Sequence, residues 1–247
     1  MLTLIIPLAA FWGLFFVSCF RFEYRQALWS KNKVAWTFDA LGLLAQGWVI
    51  PLLQAFLLLP VLRYFAPQAQ SVVDLPFWAA FLLSFVVVDY LYYWNHRTLH
   101  TQRLWPWHRV HHSATSMDIF VASRNSLWTH LLIVYVWVHS FSIFVLKDST
   151  GYVLGIALSS ALDLWRHSGM RFSSHWEKRI GSILILPVDH AWHHATISEG
   201  KNFGANFNLW DKFHGTWEPA LKAAFEVGDK DHTLQFKDLI RPIPGQN

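Results

Sequence analysis

Asp89 to His112 reads DYLYYWNHRTLHTQRLWPWHRVHH, and its later part carries five histidines, as His96-x3-His100 and His108-x2-His111-His112. A third group, His190-x2-His193-His194, repeats the second spacing far along the chain. Side chains at i, i+3 and i+4 of a helix share one face, a turn apart. Each group is therefore expected to aim two or three imidazoles at one point, as a metal ion requires. Eight histidines in three such groups exceed what one ion uses and suit two.

Around this stretch the composition is that of a membrane protein. Hydrophobic residues make up 53% of the 247 and charged ones only 15%, with 15 Trp and 20 Phe; a soluble domain carries about 25% charge. Long apolar runs and abundant Trp and Tyr fit bilayer spans with aromatic belts. The length suits a single domain, residues 1–247, with no repeat or linker that would divide it. Cys19 is the only cysteine, which excludes a disulfide framework or a thiolate-rich metal site. The net charge of +4 does not call for nucleic acid, because the Lys and Arg flank the apolar runs, where membrane topology accounts for them.

The fold expected is an all-α integral membrane protein of about four to five transmembrane helices. Leu2 to Phe20 is an uncharged run with its basic residues after it, at Arg21, Arg25, Lys31 and Lys33, the pattern of a retained first helix rather than a cleaved leader. Ala40 to Phe65 holds Pro51 and Pro60 and is expected to be kinked or broken. Leu75 to Trp94 then delivers His96 and His100 to the membrane surface. Leu127 to Leu146 and the shorter Tyr152 to Trp165 form the next pair, and Ser174 to Leu186 reads as an interfacial helix. Arg97, Arg103, Arg109 and Arg124 put the histidine side in the cytoplasm. On that reading all three groups land on one face, as a cytoplasmic histidine-rich cap for two metals. The charged tail after Glu218 reads as an extramembrane cap.

His167 follows the fifth helix on the same side and joins the set, so that nine imidazoles divide into four or five per ion. Imidazole suits zinc, iron, copper and nickel, and nitrogen-rich sites with open positions suit oxygen chemistry. Asp89, Asp163 and Asp189 lie where a carboxylate could accept the outer N–H of a bound imidazole, and Asp163 could itself be a ligand. His130 and His214 are candidates for the same surrounding layer. His139, His175 and His232 read as structural.

The residues resemble a known family. Tyr93-Trp94-Asn95-His96-Arg97 is similar to a YxxHR element and Trp107-His108-Arg109-Val110-His111-His112-Ser113 to a WHxxHHS element of the fatty acid hydroxylase (sterol desaturase) superfamily. Asn202-Phe203-Gly204 and Leu209 to Trp217 resemble its NFG and WDxxFGT elements, with His214 where the family usually has Phe. The resemblance covers about residues 85–217, the expected catalytic core. It implies a membrane-bound non-haem di-iron enzyme that hydroxylates or desaturates a lipid C–H bond with O2 and two external electrons. Zinc could stand in for iron in purified protein. The implied ligands are His96, His100, His108, His111, His112, His167, His190, His193 and His194. Cytochrome b5, ferredoxin or a reductase would be the electron donor. Two rivals from other classes are a haem-binding membrane electron carrier and a metal transporter; haem uses only one or two axial ligands, and a transporter places its ligands near the bilayer midplane.

Overall fold

The computed structural model describes residues 2–197, 200–220, 225–229 and 231–243. Among the described residues the chain is helical throughout; three isolated backbone bridges are its only β-type pairings. Helix α1 (Leu2–Phe20) has the expected bounds. Arg21 is extended, with φ −94° and ψ 124°. The chain there turns by 103° into α2 (Phe22–Trp29). Arg21 and Arg25, expected only to flank a span, thus stand at the hinge and on a second, polar helix.

Helix α3 (Lys33–Phe65) starts at Asn32, whose side chain accepts the Ala35 N–H at 2.9 Å. Its prolines do not break it. Two π-helical turns, Ala45–Val49 and Gln54–Leu58, end one residue short of Pro51 and Pro60, with Ile50 and Leu59 between. In an α-helix a proline ring meets the carbonyl four residues back, here Gly47 and Phe56. Each of those carbonyls lies inside a widened turn, and the helix continues unbroken. Helix α4 (Phe77–Leu99) has a third such turn, Leu83–Val87, and runs beyond the expected Trp94. His96 therefore sits in its last turn and His100 caps it.

After the short α5 (Trp105–His108) and single 3-10 turns at His111–Ser113 and Val121–Ser123, the expected run Leu127 to Leu146 is interrupted. It forms α6 (Leu127–Leu132) and α7 (Val134–Val145), with Ile133 extended between them. The break leaves backbone groups without helical partners. Asn95 on α4 supplies both: its Nδ2 donates to the Leu132 carbonyl at 3.0 Å and its Oδ1 accepts the Val134 N–H at 3.1 Å.

Helix α8 (Thr150–His167) packs on α1 and α4. A Cβ on Gly151 would lie 2.1 Å from the Phe77 carbonyl oxygen and one on Gly155 1.9 Å from the Ser84 hydroxyl. Only two glycines a turn apart allow this approach. Helix α9 (Ser174–Ile180) stops well short of the expected Leu186, because Leu184 pairs with Phe207 instead. Helices α10 (Pro187–His193) and α11 (Leu209–His214) complete the set.

By length and apolarity α3, α4 and the α6–α7 pair can each cross a membrane, and the bent α1–α2 pair makes a fourth. That is the architecture of a multi-pass membrane protein, at the low end of the expected count. Helix α8 falls short, since Asp163, Arg166 and His167 occupy its last turns. The charged tail, of which 221–224, 230 and 244–247 lie outside the described residues, folds back over the histidine end. Ile243 joins Phe38 and Val110 in a buried cluster and donates its N–H to the Pro106 carbonyl at 2.8 Å.

Candidate metal centre

The structure brings all nine candidate histidines together in two adjoining groups. In each, one ring nitrogen per residue lies within 4.8 Å of the others. His96, His100, His108, His112 and His193 form the first; His111, His167, His190 and His194 form the second. The division into five and four matches the expected number, but its pattern does not follow the expected geometry. Neither His-x2-His-His group aims at one point. The i and i+4 residues stay together, as His108 with His112 and His190 with His194, while the middle residue crosses to the other group. Helix α5 ends at His108 and the chain re-enters a tighter 3-10 turn at His111, so one helical face does not persist. In α10 the middle residue, His193, projects from the other side of a shared wall, with His193 and His194 rings at 84°.

Four rings are oriented by backbone carbonyls. His96 Nδ1 donates to Phe203 O at 2.9 Å, His111 Nδ1 to Arg124 O at 3.1 Å and His167 Nδ1 to Asp163 O at 2.8 Å. His193 Nδ1 donates to Lys201 O. A carbonyl oxygen only accepts, so each Nδ1 carries the proton and each Nε2 presents a lone pair. Yet His96 and His193 face each other Nε2 to Nε2 at 3.1 Å, and His111 and His167 do so at 3.4 Å. Two lone pairs at that distance repel, and a shared cation removes the conflict. His100 Nε2, both ring nitrogens of His108, and His112 Nε2 are buried without any partner. Such burial without compensation is costly. Desolvation also holds His108, His111, His112, His190 and His194 well below the usual histidine range. Desolvation likewise brings His193 to about 4. Neutral imidazoles are the form that binds a metal. The donor set thus fits two cations that favour nitrogen.

The expected outer layer is built differently. Asp89 touches no histidine; it accepts the Asn206 N–H at 2.8 Å, the Phe207 N–H at 3.3 Å and Trp210 Nε1–H at 2.7 Å. Its part is to hold the loop that carries Phe203. Asp163 does reach His167, with its carboxylate 3.3 Å from Nδ1, and pairs with Arg166. Asp189 caps α10 through the Leu186 N–H and accepts from the Ala220 N–H, and desolvation pushes it up to about 6. His130 is buried in α6 outside both groups. His214 stacks on Tyr90 and Tyr93, with Nε2 3.1 Å from the Tyr90 hydroxyl. His139 binds the Tyr152 hydroxyl, His232 binds Asp238, and His175 is exposed.

The Asn202-Phe203-Gly204 and Leu209–Trp217 elements form one unit. Asn202 has φ +58°, and its side chain is bonded to the Asp189 and Glu218 backbone. Asp211 accepts the Phe203 N–H at 2.8 Å and the Gly204 N–H at 2.7 Å. A Cβ on Gly204 would lie 2.4 Å from the Phe207 carbonyl oxygen. The unit fixes the carbonyl that orients His96.

Three supports escaped the sequence reading. The carbonyls of Phe203, Arg124, Asp163 and Lys201 leave no signal, because every residue has one. The tail clasps both groups: the Gly228 N–H donates to His194 O at 3.0 Å and the Asp229 N–H to His112 O at 2.9 Å. Asp229 also pairs with Arg109, which is only 5% exposed. Arg109 and Arg124, read as surface charge, are both interior. An open depression lined by His100, Gln102, Trp105 and Gly200 reaches the first group from outside.

The sequence profile of the fatty acid hydroxylase family matches residues 81–216. The chain is similar to the alkylglycerol monooxygenase of Danio rerio, 28% identical over 143 residues, covering 56% of this chain and 30% of that protein. The Homo sapiens alkylglycerol monooxygenase is 27% identical over 141 residues, with coverage of 55% and 30%. Methylsterol monooxygenase 2-1 of Arabidopsis thaliana is 27% identical over 180 residues, 64% of this chain and 63% of that one. The chain thus spans less than a third of the alkylglycerol monooxygenases and under two thirds of the sterol enzyme. No solved structure matches it.

Proposed function

The chain belongs to the fatty acid hydroxylase family, whose profile matches more than half of it, and from that premise we propose that it is a membrane-bound lipid oxygenase with two metal ions. The observation that carries the reading is the pair of buried Nε2-to-Nε2 contacts, His96 with His193 and His111 with His167, in which both partners are fixed as acceptors. His96, His100, His108, His112 and His193 hold one ion, and His111, His167, His190 and His194 the other. The metal is iron, and bound iron supplies the redox chemistry of the net reaction R–H + O2 + 2 e⁻ + 2 H⁺ → R–OH + H2O. The two electrons come from an external donor.

The protein's own contribution is placement and exclusion of water. Backbone carbonyls set four imidazole tautomers before any ligand arrives, so that little reorganisation remains. The tail over His112 and His194 closes the outer side. Apolar α3, α4 and α7 keep the substrate's hydrocarbon in the membrane phase. The histidine end faces the cytoplasm, as the exposed Arg21, Arg25, Lys33, Arg103 and Lys178 at that end support. The buried Lys31, Arg109 and Arg124 carry no topological weight. A lipid hydroxylase is preferred to a desaturase on the names of the relatives, several of which are monooxygenases.

The test is elemental analysis of detergent-purified protein with lipid mass spectrometry of cells expressing it. About two irons per chain, and lipids heavier by one oxygen that disappear in a His111→Ala strain, are expected. Lipids lighter by two hydrogens would replace hydroxylation with desaturation. A chain that holds no iron, zinc or cobalt would sink the proposal.

A further inference from the structure

Outside the family-matched segment, Lys31 before α3 and Asp39 on it grip the loop whose Arg124 carbonyl orients His111 of the four-histidine group. Asp39 on α3 is fully buried. Its carboxylate takes a two-pronged bond from Arg124, Nε to Oδ1 at 2.7 Å and Nη2 to Oδ2 at 2.9 Å. Lys31 Nζ lies 2.7 Å from Asp39 and 2.8 Å from Asp118. Asp118 in turn accepts the Phe120 N–H at 2.9 Å, and Ser123 Oγ–H donates to the Asp39 carbonyl at 3.1 Å. Two cations and two carboxylates cancel, and every member is buried: Asp118 and Arg124 are each 2% exposed and the Lys31 side chain 4%. The Lys31 ammonium also lies 4.2 Å from the Trp36 ring centre. Lys31 and Asp39 precede residues 81–216.

The segment this cluster grips, Asp118 to Ser126, has only one 3-10 turn of its own. Such a loop does not hold a carbonyl rigidly by itself. Arg124 carries the carbonyl that accepts His111 Nδ1–H at 3.1 Å. The side chain of Arg124 is therefore anchored to α3 while its backbone sets the ring of a candidate ligand. The first group has a separate anchor, since His96 is set by Phe203 and Phe203 by Asp211.

We propose that Asp39 is a positioning residue of the four-histidine group, acting through Arg124 on His111, so that the N-terminal helices are part of that metal site alone. The inference rests on the two-metal reading above and adds a residue, a route and a selectivity to it. Loss of an outer partner of a metal-bound histidine typically weakens binding about 10–100-fold. Asp39→Asn keeps the side-chain volume but removes the charge and one of the acceptors that the Arg124 fork requires.

The experiment is Co²⁺ titration of the detergent-purified full chain, against a competing chelator, read by visible absorption and elemental analysis. Wild type takes up two Co²⁺. Asp39→Asn retains one site of wild-type affinity and weakens the other about 10–100-fold. In a His167→Ala background, where the four-histidine group is already lost, Asp39→Asn changes nothing further. Arg124→Lys keeps the charge and the carbonyl but not the fork, and weakens the same site by less; it decides the question if Asp39→Asn does not fold. Unchanged affinity at both sites, or equal loss at both, overturns the positioning role. A wild-type chain that binds no Co²⁺ overturns the two-metal reading itself, which a selective loss cannot do.

Discussion

Replacing Asp211 with alanine tests whether a loop anchor controls the five-histidine group. The carboxylate is fully buried and accepts three hydrogen bonds, from the Phe203 N–H at 2.8 Å, the Gly204 N–H at 2.7 Å and Thr216 Oγ–H at 2.7 Å. The Thr216 hydroxyl has an alternative acceptor in Tyr93 OH at 2.9 Å and loses little. The two backbone N–H groups have none, and each orphaned donor costs about 1–3 kcal/mol. Asp211→Ala is therefore expected to destabilise the metal-free chain by about 2–6 kcal/mol. Thr216→Val orphans no backbone group and should cost only about 1 kcal/mol. Denaturation midpoints in mixed detergent micelles measure both. The site-specific part is read by Co²⁺ uptake, in which Asp211→Ala weakens the group containing His96 and spares the one containing His111. If Asp211→Ala matches Thr216→Val in stability and binds both ions as wild type does, the anchoring argument is wrong.

Other outcomes follow from the same geometry. Metal-free protein should lose stability as pH falls through about 6.5, because the unfolded chain takes up protons that the depressed His108, His111, His112, His190, His193 and His194 refuse. The slope is up to about 1.4 kcal/mol per pH unit for each histidine, and stability should level off above that pH; a flat profile from pH 5 to 7 would contradict it. Asp229→Ala removes the charged hydrogen bonds that Asp229 accepts from the buried Arg109 and should cost about 1.5–3 kcal/mol, measured as a lowered denaturation midpoint. His111→Ala or His193→Ala should abolish activity and lower metal content, whereas His232→Ala, whose ring binds only Asp238 at 2.7 Å, should leave metal content unchanged.

Much of this was legible in the amino-acid sequence, for a physical reason. Hydropathy is local, so α1 could be bounded to the residue, and the histidine spacings picked out eight of the nine rings that come together, His167 being added by its place after the fifth helix. What was hidden depends on partners distant in the chain. Lys31 and Asp118 are 87 positions apart, and nothing near either one says that they meet. Arg124 has the composition of a surface residue until Asp39 is placed against it. The crossing of His111 was hidden because α5 is a single turn, too short for the 3.6-residue period to persist. Pro51 and Pro60 pointed to a break that does not occur, since the period says nothing of the π turns beside them.

The exchange of the middle histidines ties the two groups together as a fastening. The His108–His112 turn and α10 each give residues to both groups, so neither segment can leave one without disturbing the other. With ions in place, α4, that turn, α8 and α10 are cross-linked at two adjacent points, in a chain whose lone Cys19 could never form an internal disulfide. Three of the four ligands of one group (His111, His190, His194) and three of the five of the other (His108, His112, His193) lie on these two segments, so either ion alone is expected to hold both segments in place. Removing both ions with a chelator should loosen the whole histidine end as one unit.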